Sequence, residues 1–281
     1  MMISRRNMLA GAGAVAALAL ADLQIKPAAA AQVKAVGLQL YTVRDVFQKD
    51  PVGTLEAVAR VGYREVEFGG GGYDGMDHAM LRKTMDRLGL TAPSAHIGYD
   101  ALLNQFDQSV KMAKTLGAST VVLPYMTDEH RTEQGWAAAL PNFNRFAADL
   151  EKAGLGFAYH NHDFEFLNKP GGVSLYERFL KETDPALVKS ELDLYWAAHA
   201  GEDLTAWIDR LGPRLYAFHV KDMRADRSMA AVGQGTIDFA SLFKLKGAAH
   251  VQHFYVENDQ APAPYIPDIT TSFQTLRALR F

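Results

Sequence analysis

From Val33 onward, short runs rich in apolar and β-branched residues alternate with longer stretches of helical periodicity, and the alternation repeats eight times. The runs are AVGLQLYT (35–42), YREVEFGG (63–70), TAPSAHIG (91–98), STVVLPYM (119–126), GLGFAYHNH (154–162), VKSELDLYW (188–196), LYAFHVKD (215–222) and QHFYVEND (252–259). Apolar runs of this length, bounded by turn residues, read as strands. Between them, DPVGTLEAVARVGY is expected to form a helix with Leu55, Val58, Ala59 and Gly62 on one face. MDHAMLRKTMDRLGL is expected to form another that stops at a glycine, and residues 269–279 the last. Strand and helix in strict alternation call for a parallel sheet covered by helices. Eight such units in roughly 250 residues fit a single (β/α)8 TIM barrel. An open doubly wound sheet is the alternative, but no G-x-G-x-x-G follows the first run, and the GGGG at 69–72 follows the second and reads as an irregular loop.

The first residues obey a different logic. SRRNMLAGAGAVAALALA places Arg5 and Arg6 before an apolar stretch that is short and rich in Ala and Gly, and KPAAAAQ offers an A-x-A cleavage site near Ala30 or Ala31. Residues 1–31 are therefore expected to be an export signal peptide and 32–281 the barrel domain. The paired arginines resemble the twin-arginine type, with Met8 where that pattern usually has Phe and no Lys after Leu9; a general secretory signal or an uncleaved anchor are the other readings. Export of this kind carries folded proteins, often with a cofactor inserted, so the mature chain is expected to be periplasmic or exported, with no membrane attachment once the signal is removed. The chain has no cysteine, which excludes disulfides, thiolate zinc sites, Cys nucleophiles and a lipoprotein anchor. A formal net charge of -3 offers no basic excess for a phosphate backbone, so nucleic acid is not an expected partner.

In a barrel, catalytic groups gather at the C-terminal strand ends, and residues two apart on a strand share a face. Seven of the eight runs end in polar or ionisable residues: Gln39 and Tyr41, Glu65 and Glu67, His96, His160 and His162, Glu191 and Asp193, His219 and Lys221, Glu257 and Asp259. One such residue is ordinarily a solvated loop residue or a cap, but seven strands ending this way point to a shared central site, because buried ionisable groups are costly without partners. Glu65 is expected to point away from the site of Glu67, Asn161 to be structural, and Asp163 and Glu165 to lie in the following loop. Histidine and carboxylate donors without thiolate suit a divalent ion such as Mn, Mg, Co, Fe or Zn. Such an ion can stabilise the enediolate formed when a base takes the proton next to a sugar carbonyl. His162 and Glu257 are candidate bases, and Lys221 a fixed cation for a substrate oxygen. Trp196, Tyr195 and Phe68 are candidate apolar walls.

The ordered motifs GLQLYTVRD (37–45), GYREVEFGG (62–70), AHIGY (95–99), YHNHDFEF (159–166), ELDLYWAAHAG (191–201), FHVKD (218–222), VGQGTIDF (232–239) and YVEND (255–259) resemble the xylose-isomerase-like sugar isomerase/epimerase superfamily over essentially the whole mature chain. The resemblance implies one divalent ion held by acidic residues and His on strands five to eight. By position, Asp193, His219 and Glu257 match metal ligands, and Glu257 also matches a proton-transfer group. The family's epimerases place a metal-binding glutamate on strand five, where this chain has His160; that leaves His160 as a fourth ligand and His162 as base, in a pattern similar to dehydratase- and lyase-type members. Glu67 resembles the strand-two glutamate that would hydrogen-bond substrate or a ligand; from their strand-end positions Gln39, Tyr41, Glu67, Trp196 and Lys221 are the expected substrate-binding residues, and His162, Glu257, Lys221 and His96 the expected catalytic ones. The expected activity is a metal-dependent isomerase or epimerase acting on a sugar or keto-sugar. The alternatives are a dehydratase, or a lyase or hydrolase of 3-keto-glycosides, working by β-elimination from the same enolate. More distant are a non-catalytic periplasmic sugar-binding barrel and an endonuclease. No Lys/Arg cluster stands at a strand end, which favours an unphosphorylated sugar. A homo-oligomer is compatible with this reading.

Overall fold

The computed structural model describes residues 31–281; the expected export signal lies outside the described residues except for Ala31. Eight parallel strands close into a barrel: β1 (Gly37–Gln39), β2 (Glu65–Phe68), β3 (Thr91–His96), β4 (Thr120–Leu123), β5 (Gly156–His160), β6 (Val188–Asp193), β7 (Leu215–Val220) and β8 (His253–Val256), with β8 pairing back onto β1. Each strand lies inside a run read from the sequence, and all eight stop short of its end. Residues 40–43 turn into a 3-10 helix, so Tyr41 is not a strand residue. After Asp193 the chain enters the helix Leu194–His199, because the Asp193 side chain accepts the Trp196 N–H and caps it. Trp196 therefore sits on a helical turn rather than at a strand end.

The strands read as continuous apolar runs because both faces are covered. Outward, Val121, Leu123, Phe157 and Tyr159 join a core with Trp136, Phe143 and Phe146 of the helix Glu133–Lys152. Inward, Val122, Ala158, Ala217 and Tyr255 form a small apolar floor across the barrel. Two residues further along three of these strands come His160, His219 and Glu257, so the period of two lifts ionisable side chains directly above that floor. Strand pairing sets His160 beside Glu191 and Asp193 beside His219.

The helices begin and end on local signals. Asp50 accepts the Gly53 N–H ahead of Pro51–Val61, Asp77 accepts the Met80 N–H ahead of His78–Leu88, and Ser174 with Glu177 closes a reciprocal cap on Leu175–Glu182. Gly62, expected on the apolar face of its helix, instead lies just past the end with φ of 125°, a conformation that suits glycine. The last helix spans Ile266–Ala278 and starts earlier than the apolar pattern suggests, with proline in its first turn. At the far end of the barrel Glu65 pairs with His253 at 2.9 Å, so it does keep away from Glu67. No helix among the described residues is long and apolar enough to cross a membrane.

Candidate active site

The C-terminal strand ends bring Glu67, His96, His160, Glu191, Asp193, His219, Lys221 and Glu257 into one connected network. His219 is its hub: Nε2 lies 2.7 Å from Glu67 and 3.1 Å from Glu191, and Nδ1 lies 2.6 Å from Glu257. His96 Nε2 is 3.0 Å from Glu67 and 2.9 Å from Glu191. Lys221 Nζ lies 3.0 Å from Asp193, 2.8 Å from Glu257 and 3.1 Å from Asp259. Every one of these carboxylates except Asp259 is fully or almost fully buried, so pairing is what permits their charge.

The protonation pattern follows. Burial opposes charge on His219 and His96, but Glu191 and Glu257 hold His219 well above the usual histidine range, and Glu67 and Glu191 push His96 up to about 9. Burial would raise Glu67, and Glu191 would raise it further, yet His96 and His219 bring it below its ordinary value. Glu191 is driven the same way. Burial and the nearby cations keep His160 and His162 well below the usual range, so both are neutral imidazoles at neutral pH. His96, protonated, and His162, neutral, line the same cavity of about 580 Å³.

Asp193, His219 and Glu257 each offer one donor atom, and the three atoms lie within 4.8 Å of one another. Asp193 Oδ2 has Lys221 Nζ at 3.0 Å as its charge partner, and its other oxygen accepts the Trp196 N–H of the helix cap. One imidazole and two buried carboxylates converging in this way are a donor set that fits a divalent ion. His160 stands at the edge of this set, its Nε2 3.9 Å from Asp193, and also belongs to a deeper group with His96, Glu191 and His219.

The strand-five segment is locked from below. Asn161 accepts the Asp193 N–H through Oδ1 at 3.0 Å, tying the ends of β5 and β6 together. Glu165, expected in a loop, is fully buried in the short helix Phe164–Leu167. Its carboxyl accepts the Tyr159 hydroxyl at 2.5 Å and the His162 backbone N–H at 2.8 Å. Burial pushes its pKa up to about 8. Asp163 lines the cavity and pairs with His199 at 3.1 Å.

Among the residues expected at the site, Tyr41, His96, His160, His162, Trp196, Lys221 and Glu257 line the cavity. Gln39 and Glu67 lie beneath it: Gln39 donates to Glu67 at 2.8 Å and accepts the Tyr41 N–H at 3.1 Å, so its polar atoms serve the wall. Phe68 and Tyr195 belong to the core, Phe68 against Phe47 and Tyr73, while the Tyr195 hydroxyl donates to the Arg227 carbonyl. The sequence places Glu191 among the strand-end groups of the central site, on one strand face with Asp193, but assigns it no role there; the structure sets it between His96 and His219. Tyr125, Arg131 and Phe164 also line the cavity; strand four ends without an ionisable residue, so nothing in its pattern drew attention there.

Residues 55–250 match the family described as "Xylose isomerase-like TIM barrel". Among curated proteins, an inosose dehydratase of Mesomycoplasma hyopneumoniae (strain J) is 24% identical over 192 residues, covering 62% of each chain, so this chain spans under two thirds of that relative's length. An inosose dehydratase of Geobacillus kaustophilus is 24% identical over 261 residues, 78% of this chain and 82% of the relative. Among solved structures, a sugar phosphate isomerase/epimerase from Parabacteroides distasonis superposes with TM-score 0.70 at 26% identity, over 88% of this chain and 95% of that one. An IolI protein with a bound zinc atom superposes with TM-score 0.65 at 15% identity, over 86% and 96%.

Proposed function

Because the chain belongs to the xylose isomerase-like TIM barrel family, we propose that it is a divalent-metal-dependent enzyme that removes the proton next to the carbonyl of a sugar or keto-sugar, with β-elimination as the outcome. One observation carries this: the donors Asp193, His219 and Glu257 converge beside a cavity onto which two histidines of opposite protonation, His162 and His96, both open. An acid and a base separated by their environments are what an enolisation requires.

Asp193, His219 and Glu257 would hold the ion, with His160 at the edge of the set. The ion would polarise the carbonyl and offset the charge that develops as the proton leaves. His162 Nδ1, buried and without a hydrogen-bond partner among the described residues, takes the proton. The C–H electron pair becomes the new carbon–carbon double bond as the β carbon–oxygen bond breaks. The departing oxygen receives a proton from His96. Lys221 presents a fixed cation to a substrate oxygen, and Asp259 would keep it paired were Asp193 and Glu257 to hold the ion. Glu165 fixes the backbone of His162.

Elimination is favoured over epimerisation because strand five supplies His160 where the family's epimerases carry a second carboxylate. The inosose dehydratases among the relatives support this outcome. The isomerase or epimerase reading rests on the same proton abstraction and on the Parabacteroides neighbour. The expected signal peptide adds the proposal that the reaction runs outside the cytoplasm on an unphosphorylated substrate. Metal-loaded protein should be incubated with an inosose, a 3-keto-glucoside and free ketohexoses, and the products followed by NMR. Loss of water or release of an aglycone is expected; interconversion of ketohexoses without either would assign an isomerase. If none of the three turns over, the enzyme reading fails.

A further inference from the structure

The cavity is larger than the chemistry needs. At about 580 Å³ it has several times the room a single hexose fills, and lies within the range of pockets that enclose drug-sized ligands. Its wall is graded. Ring centroids step from His160 to His162 at 5.0 Å and from His162 to Tyr125 at 5.1 Å. Exposure rises along the same path, from 2% at His160 to 45% at Tyr125. The deep end is therefore ionisable and enclosed, while beyond His162 the lining turns to Pro124, Tyr125, Phe164 and Arg131.

Arg131 organises this outer part. Its guanidinium lies 4.3 Å from the centre of the Tyr125 ring and 4.0 Å from that of Phe164. Nε donates to the Met126 carbonyl at 2.7 Å, and Nη1 lies 3.3 Å from Asp128. Nη2 is buried and has no partner among the described residues. The Asn168 side chain donates to the Arg131 carbonyl at 3.2 Å, joining the loops that follow β4 and β5. The result is a braced, flat-sided aromatic wall with one cation next to it; the one carboxylate in this part of the lining, Asp163, is paired with His199 at 3.1 Å.

We infer that this outer wall is a second subsite, which holds an aromatic ring attached to the sugar, so that the substrate is an aryl keto-glycoside rather than a free sugar. The ring stacks against Tyr125, where aromatic contact and apolar burial both contribute, and the Arg131 guanidinium attracts electron density on it. This rests on the proposed proton abstraction: the sugar occupies the end nearest Lys221 and Glu257, and the ring leaves toward the mouth.

The test compares 4-nitrophenyl 3-keto-glucoside, methyl 3-keto-glucoside and a 3-keto-disaccharide on the metal-loaded full chain, with 4-nitrophenol alone as a binding probe measured by calorimetry. The aryl substrate should exceed the methyl one in kcat/KM, and Tyr125→Ala should reduce the aryl-to-methyl ratio by about tenfold, mainly through KM. Tyr125→Phe should restore the ratio, and Arg131→Met should lower it. Binding of 4-nitrophenol should weaken in Tyr125→Ala and Arg131→Met. If no substrate turns over but 4-nitrophenol binding depends on Tyr125 and Arg131, the subsite stands and the proposed reaction falls. An aryl-to-methyl ratio unchanged by Tyr125→Ala, or a disaccharide equally preferred and equally dependent on Tyr125, overturns the subsite.

Discussion

Replacing Glu165 by glutamine should change how stability depends on pH more than it changes stability itself. Burial lifts this carboxyl from 4.5 to about 8, whereas in the unfolded chain it titrates near its ordinary value. Between those two values the folded protein holds a proton that the unfolded chain has lost, so stability is fully present in acid and declines as pH rises through this window. At about 1.4 kcal/mol per pH unit, with the slope falling off as the folded group itself begins to ionise, the decline attributable to Glu165 is about 3 kcal/mol by pH 7 and about 4 kcal/mol by pH 8. Glutamine has the same shape. Its oxygen can accept the His162 N–H and its amino group can donate to the Tyr159 hydroxyl oxygen, so both present partners stay satisfied. The variant has no proton to lose. In thermal unfolding from pH 5 to 8, the Tm of Glu165→Gln minus that of wild type should therefore grow with pH. For a barrel of this size, the 3 kcal/mol reached at pH 7 corresponds to about 6 to 12 °C. All other titrating groups are shared by the two proteins and cancel in the difference. A gap that stays flat across the range, or shrinks, refutes the claim that Glu165 is buried as the neutral acid.

Replacing His162 by glutamine should lower kcat by about 10²- to 10⁴-fold while metal content and circular dichroism stay at wild-type levels. Chelation should abolish turnover and lower Tm, and one added equivalent of a divalent ion should restore both, because an ion bound only by the folded state stabilises it by mass action; unchanged Tm on chelation would count against Asp193, His219 and Glu257 as its holders. Arg214 is buried and donates to the carbonyls of Val188 and Leu180 and to the Thr183 hydroxyl. Arg214→Ala, which strands these acceptors at the base of β6 and β7, should cost about 3 kcal/mol or more in urea unfolding.

Much of this architecture was legible because a fully covered parallel strand is apolar on both faces and announces itself as a run. The ends of the runs were less so. Val188–Asp193 gives way to a helix one residue after Asp193, since the aspartate's own side chain caps the next turn; hydrophobicity alone carries no trace of that hydrogen bond. The glutamate two residues before it, Glu191, reads like any strand carboxylate, and only the closed ring shows it between His96 and His219.

The eight runs, seven of them with polar or ionisable ends, determine from the sequence alone a barrel and the side of it on which polar groups collect, because strand periodicity and burial are local properties. Which of those groups meet was decided by tertiary structure. Closure sets β8 against β1 and β7, bringing Glu257 onto His219 from 38 residues away and Glu67 onto the same ring from 152. The same closure leaves His162 neutral and His96 charged although both begin as ordinary histidines, since the protonation of each depends on which carboxylates and cations the fold places beside it. Tyr125 and Arg131 follow the same rule: their role as a wall beyond His162 exists only once the loops after β4 and β5 are packed together.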